Sequence, residues 1–518
     1  MSNNTLLSNY FAQIAKNPVP LVPYNPQTLN VLSNWVLGPS VGPDALFAAM
    51  ALGGPQSSQG WTSVQPGLFN FPREHGPHWD IRNEWYYLAC NLTYSANSQV
   101  NPLYLLLAII RRGTNPANQN SQAQIVACEF TMELPGTTTP YITQSNAFDG
   151  YNSQITMQPP SATQDFQWSV NDDKHLFRLH TLASDAATSL NSFDVDVGFT
   201  HPTLGVVTCD LKLKSSCSPA FFLEGQNGCA PCIDGVGYRY YSWPALTVQT
   251  GTITVASSSY VVEGQAWLDH QWGSRMQPLG YVDSLYLRAL GILGNSFPKE
   301  LAPQWDWFFM HLSNGMHITT AVLPSKGYYG SGNPATSKSN LATLTNTTFI
   351  TVDASGAMSN QTFQGGTVVY SKWVQANCNL YASAWQLDWA DVTLSLVVTQ
   401  PDNDAGFSKG VDGQSFMEKG VTVTGTVHGV KVTGTGFAEA VGYDPIERQV
   451  TELLTTMFGD LSTAQEYVSI FMPASASAGD IALASLLVIG PPVVLLIIII
   501  IAIVIPLKNK AKKKKNSL

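Results

Sequence analysis

The chain predicts an all-β fold, two β-barrels packed together, followed by one C-terminal transmembrane helix. Three observations carry this expectation. Between about residues 60 and 450, short apolar or alternating runs recur, separated by Gly, Pro, Asn and Asp, as strands joined by turns require. That body is too long for one small barrel and its strands are too closely spaced for βαβ units, so two barrels are expected. Finally, Ile481–Leu507 carries no charge and runs directly into a cluster of lysines.

Taken in order, residues 1–60 are rich in Pro, Asn, Ser and Gly and read as an irregular leader, with one apolar stretch at Ala45–Leu52. The first barrel is expected over 61–260, where 103–110, 124–132, 193–199 and 251–256 have strand patterns. The second is expected over 261–445, with strands at 393–398 and 421–427 and a polar, turn-rich loop at about 330–345. Helical periodicity is clear only near 446–470, which makes 446–480 a helical juxtamembrane linker. Residues 481–507 exceed the ~20 needed to cross a ~30 Å hydrocarbon core, and Pro491-Pro492 should kink that helix.

The lysine-rich tail, 508–518, holds Lys508, Lys510, Lys512, Lys513, Lys514 and Lys515, which suit anionic headgroups. The lipid membrane is therefore an expected partner. A basic tail predicts a cytoplasmic C-terminus. The first residues, however, show no signal-peptide pattern and do not begin Met-Gly. The sequons at Asn91, Asn346 and Asn360 matter only for a lumenal domain. The side of the membrane stays open between a cytosol-facing and a virion-type display.

Composition excludes other classes. Hydrophobic residues make up 44% and charged residues 12%, the latter about half the usual share; a disordered chain shows the reverse balance. The net charge is −9, and without the six tail lysines it is −15, so no nucleic-acid partner is expected. Seven cysteines, an odd number, do not form a disulfide framework. Cys209, Cys217, Cys229 and Cys232 read either as a loop with free or partly oxidised thiols or as a zinc knuckle. No nucleophile elbow, phosphate loop, dinucleotide loop or His-Glu-x-x-His motif occurs, and no cofactor is expected.

Six ordered runs of residues then carry a family likeness. Phe71-Pro72-Arg73-Glu74-His75-Gly76 and Arg82-Asn83-Glu84-Trp85-Tyr86-Tyr87 come first. Tyr240-Tyr241-Ser242-Trp243-Pro244 follows, with Val262-Glu263-Gly264-Gln265-Ala266-Trp267-Leu268-Asp269-His270-Gln271-Trp272-Gly273 beyond it. Trp305-Asp306-Trp307-Phe308-Phe309 and Gly434–Tyr443 complete the set. Over about residues 65–445 the chain resembles the AttH and carotenoid 1,2-hydratase family. The resemblance implies two lipocalin-like barrels and a pocket for a hydrophobic small molecule. It also implies an acid at Asp269 assisted by Trp243, with Tyr241 standing where the family has His and Trp267 where it has Tyr.

The chemistry of that set is direct. A carboxyl in an aromatic pocket loses solvation, stays protonated and can protonate an alkene, after which water traps the cation. Asp269, Tyr241, Trp243 and Trp267 are thus the candidate catalytic residues. Glu84, Trp85, Tyr87, His270, Trp272 and Trp307 are the candidate ligand contacts. The alternative for Asp269 is a buried acid hydrogen-bonded to strand ends or to Arg275, holding the barrels together. Glu84 has the same structural alternative, and the tryptophans can be core aromatics. His75 and His78 lack a nearby third ligand, so no metal is expected, and His311 and His317 read as polar strand residues. Three functions remain open: a membrane-held binder of a lipid or isoprenoid-like ligand, a hydratase- or hydrolase-like enzyme working through Asp269, and a structural surface protein of a membrane or envelope.

Overall fold

The computed structural model describes residues between 62 and 441, apart from short stretches and the longer ones at 274–304 and 323–340. The expected leader, juxtamembrane helix, membrane span and lysine tail lie outside the described residues. No helix among the described residues is long and apolar enough to cross a membrane.

The first sheet contains β1 (Asn83–Ala96), β2 (Gln99–Gly113), β3 (Gln124–Glu133), β4 (Tyr141–Asp149), β5 (Gln154–Gln158), β6 (Phe166–Asn171) and β7 (Leu176–Thr181). It continues with β8 (Ser192–His201), β9 (Gly205–Ser215), β10 (Phe222–Leu223), β11 (Cys229–Ala230), β12 (Tyr238–Val255) and β13 (Ser258–Gly273). Its order is β4-β3-β2-β1-β13-β12-β9-β8-β7-β6-β5, with β10 and β11 added on β12. β13 pairs along most of β1, so the first sheet runs through Gly273 and not to 260 as the sequence suggested. A hairpin partner with a fully buried face cannot be divided from its sheet.

The second sheet contains β14 (Trp305–Leu312), β15 (Met316–Val322), β16 (Leu341–Thr343), β17 (Thr345–Val352), β18 (Met358–Phe363) and β19 (Thr367–Ala376). β20 (Asn379–Trp389), β21 (Val392–Val398), β22 (Phe407–Lys409), β23 (Ser415–Val427) and β24 (Val430–Val441) complete it. The order is β16-β19-β20-β21-β23-β24-β14-β15-β17-β18, with β22 on β23.

Both sheets curl without closing. β4 and β5, the ends of the first sheet, are not hydrogen-bonded to each other among the described residues. Side chains bridge the concave face instead: Tyr86 of β1 meets Trp168 of β6 at 5.0 Å, and Phe130 of β3 meets Phe199 of β8 at 5.5 Å. In the second sheet Phe308 of β14 meets Trp385 of β20 at 5.3 Å. The expected pair of barrels is therefore a pair of half-barrels, closed by packed rings and not by main-chain hydrogen bonds.

The halves pack through the convex side of β1, β2 and β13. In β1, Tyr86, Leu88, Cys90 and Leu92 enter the first core, whereas Tyr87 and Ala89 join Trp307, Phe309 and Phe437 between the sheets. β9 shows the one-sided alternative, alternating buried and exposed along its length. Main-chain bonds add to the junction, from Ser218 N–H to the Gly356 carbonyl (2.7 Å) and from Met358 N–H to the Ser218 carbonyl (3.0 Å). At Gly420 the halves approach closely: a Cβ there would lie 2.2 Å from the Tyr104 ring.

Candidate functional site

Two polar clusters lie back to back on opposite faces of β1, β12 and β13. Alternation along a strand separates them: Tyr241 pairs with His270 on one face, and Ser242 pairs with Asp269 on the other.

On the inner face, a 3₁₀ turn at Arg73–His75 and the residues after it bring His75 and His78 against the strands. Glu84 Oε1 accepts from His78 Nδ1 (2.6 Å) and His270 Nε2 (2.9 Å). Its Oε2 accepts from Arg111 Nε (3.0 Å) and the His78 backbone N–H (2.8 Å). Burial pushes the Glu84 carboxyl up, but the His78 and Arg111 charges outweigh it and hold the group well below the usual carboxylate range. His78 also donates from Nε2 to Glu74 (2.8 Å); against the opposing pull of burial, the two carboxylates raise it to about 9, so both ring nitrogens carry protons.

Tautomers follow from these contacts. Burial lowers His270 to about 4. This neutral ring donates from Nε2 to Glu84, so its Nδ1 accepts from the Tyr241 hydroxyl at 2.8 Å. Tyr241 oxygen then accepts from His75 Nδ1 at 2.8 Å, which leaves His75 Nε2 a bare lone pair, buried without a partner. Trp272 stacks on His78 at 4.0 Å, and Trp243 donates to the Leu190 carbonyl at 2.8 Å while packing against Phe193.

On the interface face, Asp269 Oδ1 accepts from Ser242 Oγ and Trp267 Nε1, each at 2.5 Å, and Oδ2 accepts from the Tyr240 hydroxyl at 2.6 Å. Burial raises Asp269 to about 7 despite these three donors. Ser242 Oγ also lies 3.1 Å from Glu224 Oε1. A hydroxyl has one proton, and if Ser242 gives it to Asp269, Glu224 must supply the other; burial does hold Glu224 well above the usual carboxylate range. From the second half, Thr348 donates to Glu224 at 3.4 Å. Tyr87 reaches Glu418 Oε1 at 3.5 Å, and Trp305 donates to Glu439 at 2.7 Å.

The candidate catalytic residues are thus divided. Asp269 and Trp267 face the second half-barrel, together with Tyr87, Trp85 and Trp307. Tyr241 and Trp243 belong to the inner face with Glu84, His270 and Trp272, and do not touch Asp269. Of the expected set Trp267 does touch it, and its other hydrogen-bond partners are Tyr240 and Ser242, each one residue out of phase with Tyr241 and Trp243. Arg275, the alternative partner for Asp269, lies outside the described residues.

The metal readings also change. His78 has Glu84 and His270 beside it, with ligand atoms within 4.8 Å of one another, while His75 turns to Tyr241. Arg111 and protonated His78 already supply the positive charge that Glu84 needs, so these residues fit an ion-pair network better than a metal centre. Cys209 is fully buried in the first core, whereas Cys217 and Cys229 are half-buried and free; Cys232 lies outside the described residues.

The comparisons agree with this architecture. A family model described as AttH-like matches residues 62–443. A solved structure described as an AttH from Nitrosomonas europaea is 19% identical, covers 74% of this chain and 100% of its own, and superposes with a TM-score of 0.53. Kievitone hydratase from Nectria haematococca is 14% identical, covers 75% of this chain and 96% of its own, with a TM-score of 0.45. No curated protein matches the sequence.

Proposed function

The chain belongs to the AttH-like family, and on that footing we propose that it binds an apolar, unsaturated small molecule between its half-barrels and protonates it from Asp269. The carrying observation is the state of Asp269: a buried carboxyl fixed by Tyr240, Ser242 and Trp267 and raised to about 7. An acid poised near the working pH gives and takes protons with least cost. Trp267, Tyr87 and Trp307 wall it with rings, which suit an apolar substrate.

In the proposed step the Asp269 proton forms a bond to one alkene carbon, leaving the other carbon positive. Water bonds to that carbon and loses a proton to the Asp269 carboxylate, restoring the acid. The net reaction adds H and OH across the double bond. Tyr240 and Ser242 hold the carboxylate while it is charged. Solvent extraction of natively purified protein, followed by mass spectrometry, names the ligand, and turnover of that ligand by Asp269→Asn tests the role. Activity that survives the substitution removes Asp269 from the mechanism.

A second reading, carriage without chemistry, is favoured by the three donors already on Asp269: they tie the carboxyl to its own sheet. A ligand that extracts intact and never turns over supports it. Either reading includes a membrane tether, supported by the uncharged 481–507 and the lysines beyond it. Release of the chain from membranes by high salt alone would remove the tether.

A further inference from the structure

Register sets two rows of side chains face to face across the junction. In the first sheet Glu129, Ala108, Tyr87, Asp269 and Ser242 are successive cross-strand partners on β3, β2, β1, β13 and β12. In the second, Glu418, Glu439 and Trp307 are successive partners on β23, β24 and β14. The rows meet where Tyr87 reaches Glu418 and where its ring meets Trp307 edge-on at 5.6 Å. Trp307 continues to Trp267 at 6.3 Å.

This contact is rich in acid and poor in counter-charge. Asp269, Glu224, Glu418 and Glu439 have no ion-pair partner among the described residues. Lys419, the neighbour of Glu418 in sequence, points instead to Glu133 at 3.1 Å and over the Tyr141 ring. Glu418 is 4% exposed, and its Oε2 is buried without any hydrogen-bond partner. A buried acceptor left unmet is destabilising, and a wholly apolar ligand would leave it so.

We propose that the junction takes an organic cation: an ammonium on an apolar or aromatic body, its charge set among Glu418, Glu439 and Asp269 and against the rings of Tyr87, Trp267 and Trp307. A cation entering here displaces protons from these acids to solvent, the carboxylates so formed supply the counter-charge, and indole and phenol faces attract a cation that is already shedding water. Calcium or magnesium fits less well, because those ions demand six or more oxygens or retained waters, and half of this wall is aromatic. The inference rests on the reading that a ligand enters between the half-barrels, and it narrows the class of that ligand. A site built for a fixed positive charge also stabilises the one that appears when an alkene is protonated.

The test uses the full chain and two probes of one shape: benzyltrimethylammonium and its neutral carbon counterpart, neopentylbenzene, each titrated against tryptophan fluorescence. The ammonium is expected to bind about tenfold or more tightly than the neutral probe, the equivalent of about 1.4 kcal/mol. Glu418→Gln and Glu439→Gln should each remove most of that preference and leave the neutral probe's affinity unchanged. Equal binding of the two probes overturns the cation assignment while the apolar site stands. Binding of neither overturns both, and displacement of the ammonium by calcium at one ion per chain makes the site a metal site instead. Should either variant fail to fold by circular dichroism, the two-probe comparison on the unaltered chain still decides.

Discussion

The two faces of β1, β12 and β13 bury carboxyls to nearly the same degree and treat them oppositely. On the inner face Glu84, fully buried, meets a guanidinium and two imidazoles and stays ionised. On the interface face Asp269, 4% exposed, meets two hydroxyls and an indole, and rises to about 7. Glu439, beside Trp305 and Tyr87, rises to about 7 as well, and burial pushes Glu418 well above the usual carboxylate range. Burial alone therefore does not set the charge of a carboxyl here; the formal charge of its partners does. One face is a settled ion-pair network, and the other keeps acids ready to change state.

The largest effect should come from breaking the settled face. Glu84→Gln strands Arg111 as a buried cation and leaves His78 only Glu74, and the loss of one partner of such a network costs about 3–5 kcal/mol, read as a fall in urea midpoint. If the variant is as stable as the parent, the inner cluster is not the staple described above. Next comes the poised face: Asp269→Asn should lower turnover of the extracted ligand by about 10²–10⁴, with the variant still folded by circular dichroism. A variant that unfolds instead would make Asp269 a structural acid and erase the contrast. Smaller is the junction itself. Gly420→Val drives a side chain into the Tyr104 ring, and overpacking costs about 1–3 kcal/mol. Calorimetry should show the cost as a lower melting temperature, and no shift would mean the halves are loosely seated.

The finest test is pH. Asp269 has a folded value near 7 against 3.8 for the ordinary group, so the native chain holds a proton that the unfolded chain has released. The stability tied to it is present below about 3.8 and is lost as pH rises through 7. His78, raised from 6.5 to about 9, contributes stability that is complete below 6.5 and lost as pH rises through 9. Unfolding midpoints of Asp269→Asn minus parent should therefore climb between about pH 4 and 7 and flatten above it. The His78 loss between about pH 6.5 and 9 is common to both proteins and cancels in this difference, so a difference that stays flat between about pH 4 and 7 would remove the raised acid at Asp269.

Much of the fold was legible in the sequence because strands advertise themselves through period and punctuation. Runs such as 103–110 and 421–427 lie in β2 and β23, and the aromatic blocks fell on the strands that build both clusters. The unbroken apolar character of 103–110 was a sign of burial on two faces, as found for β2. What the sequence could not show was which faces look at one another. Asp269 and Trp243 were grouped because they recur in order, yet only the pairing of Ser242 with Asp269 reveals that Trp243 points away. Glu418 and the role of Glu439 went unnoticed, because the significance of each depends on a partner sheet far away in the chain. Arg111 was missed for the same reason: its role exists only opposite Glu84.

The back-to-back placement of the clusters also bears on how the chain finds its pairing. A slip of β13 by one residue against β1 would turn every side chain over. His270 would face the acids of the second half, and Asp269 would be driven among Trp168, Phe166 and Phe193. Each wrong alignment would thus orphan several buried polar groups at once, on both faces, whereas a strand with one wet face would merely exchange exposed residues for buried ones. The polar clusters work as a proofreading device for strand alignment, rejecting near-miss folds that the apolar residues alone would tolerate.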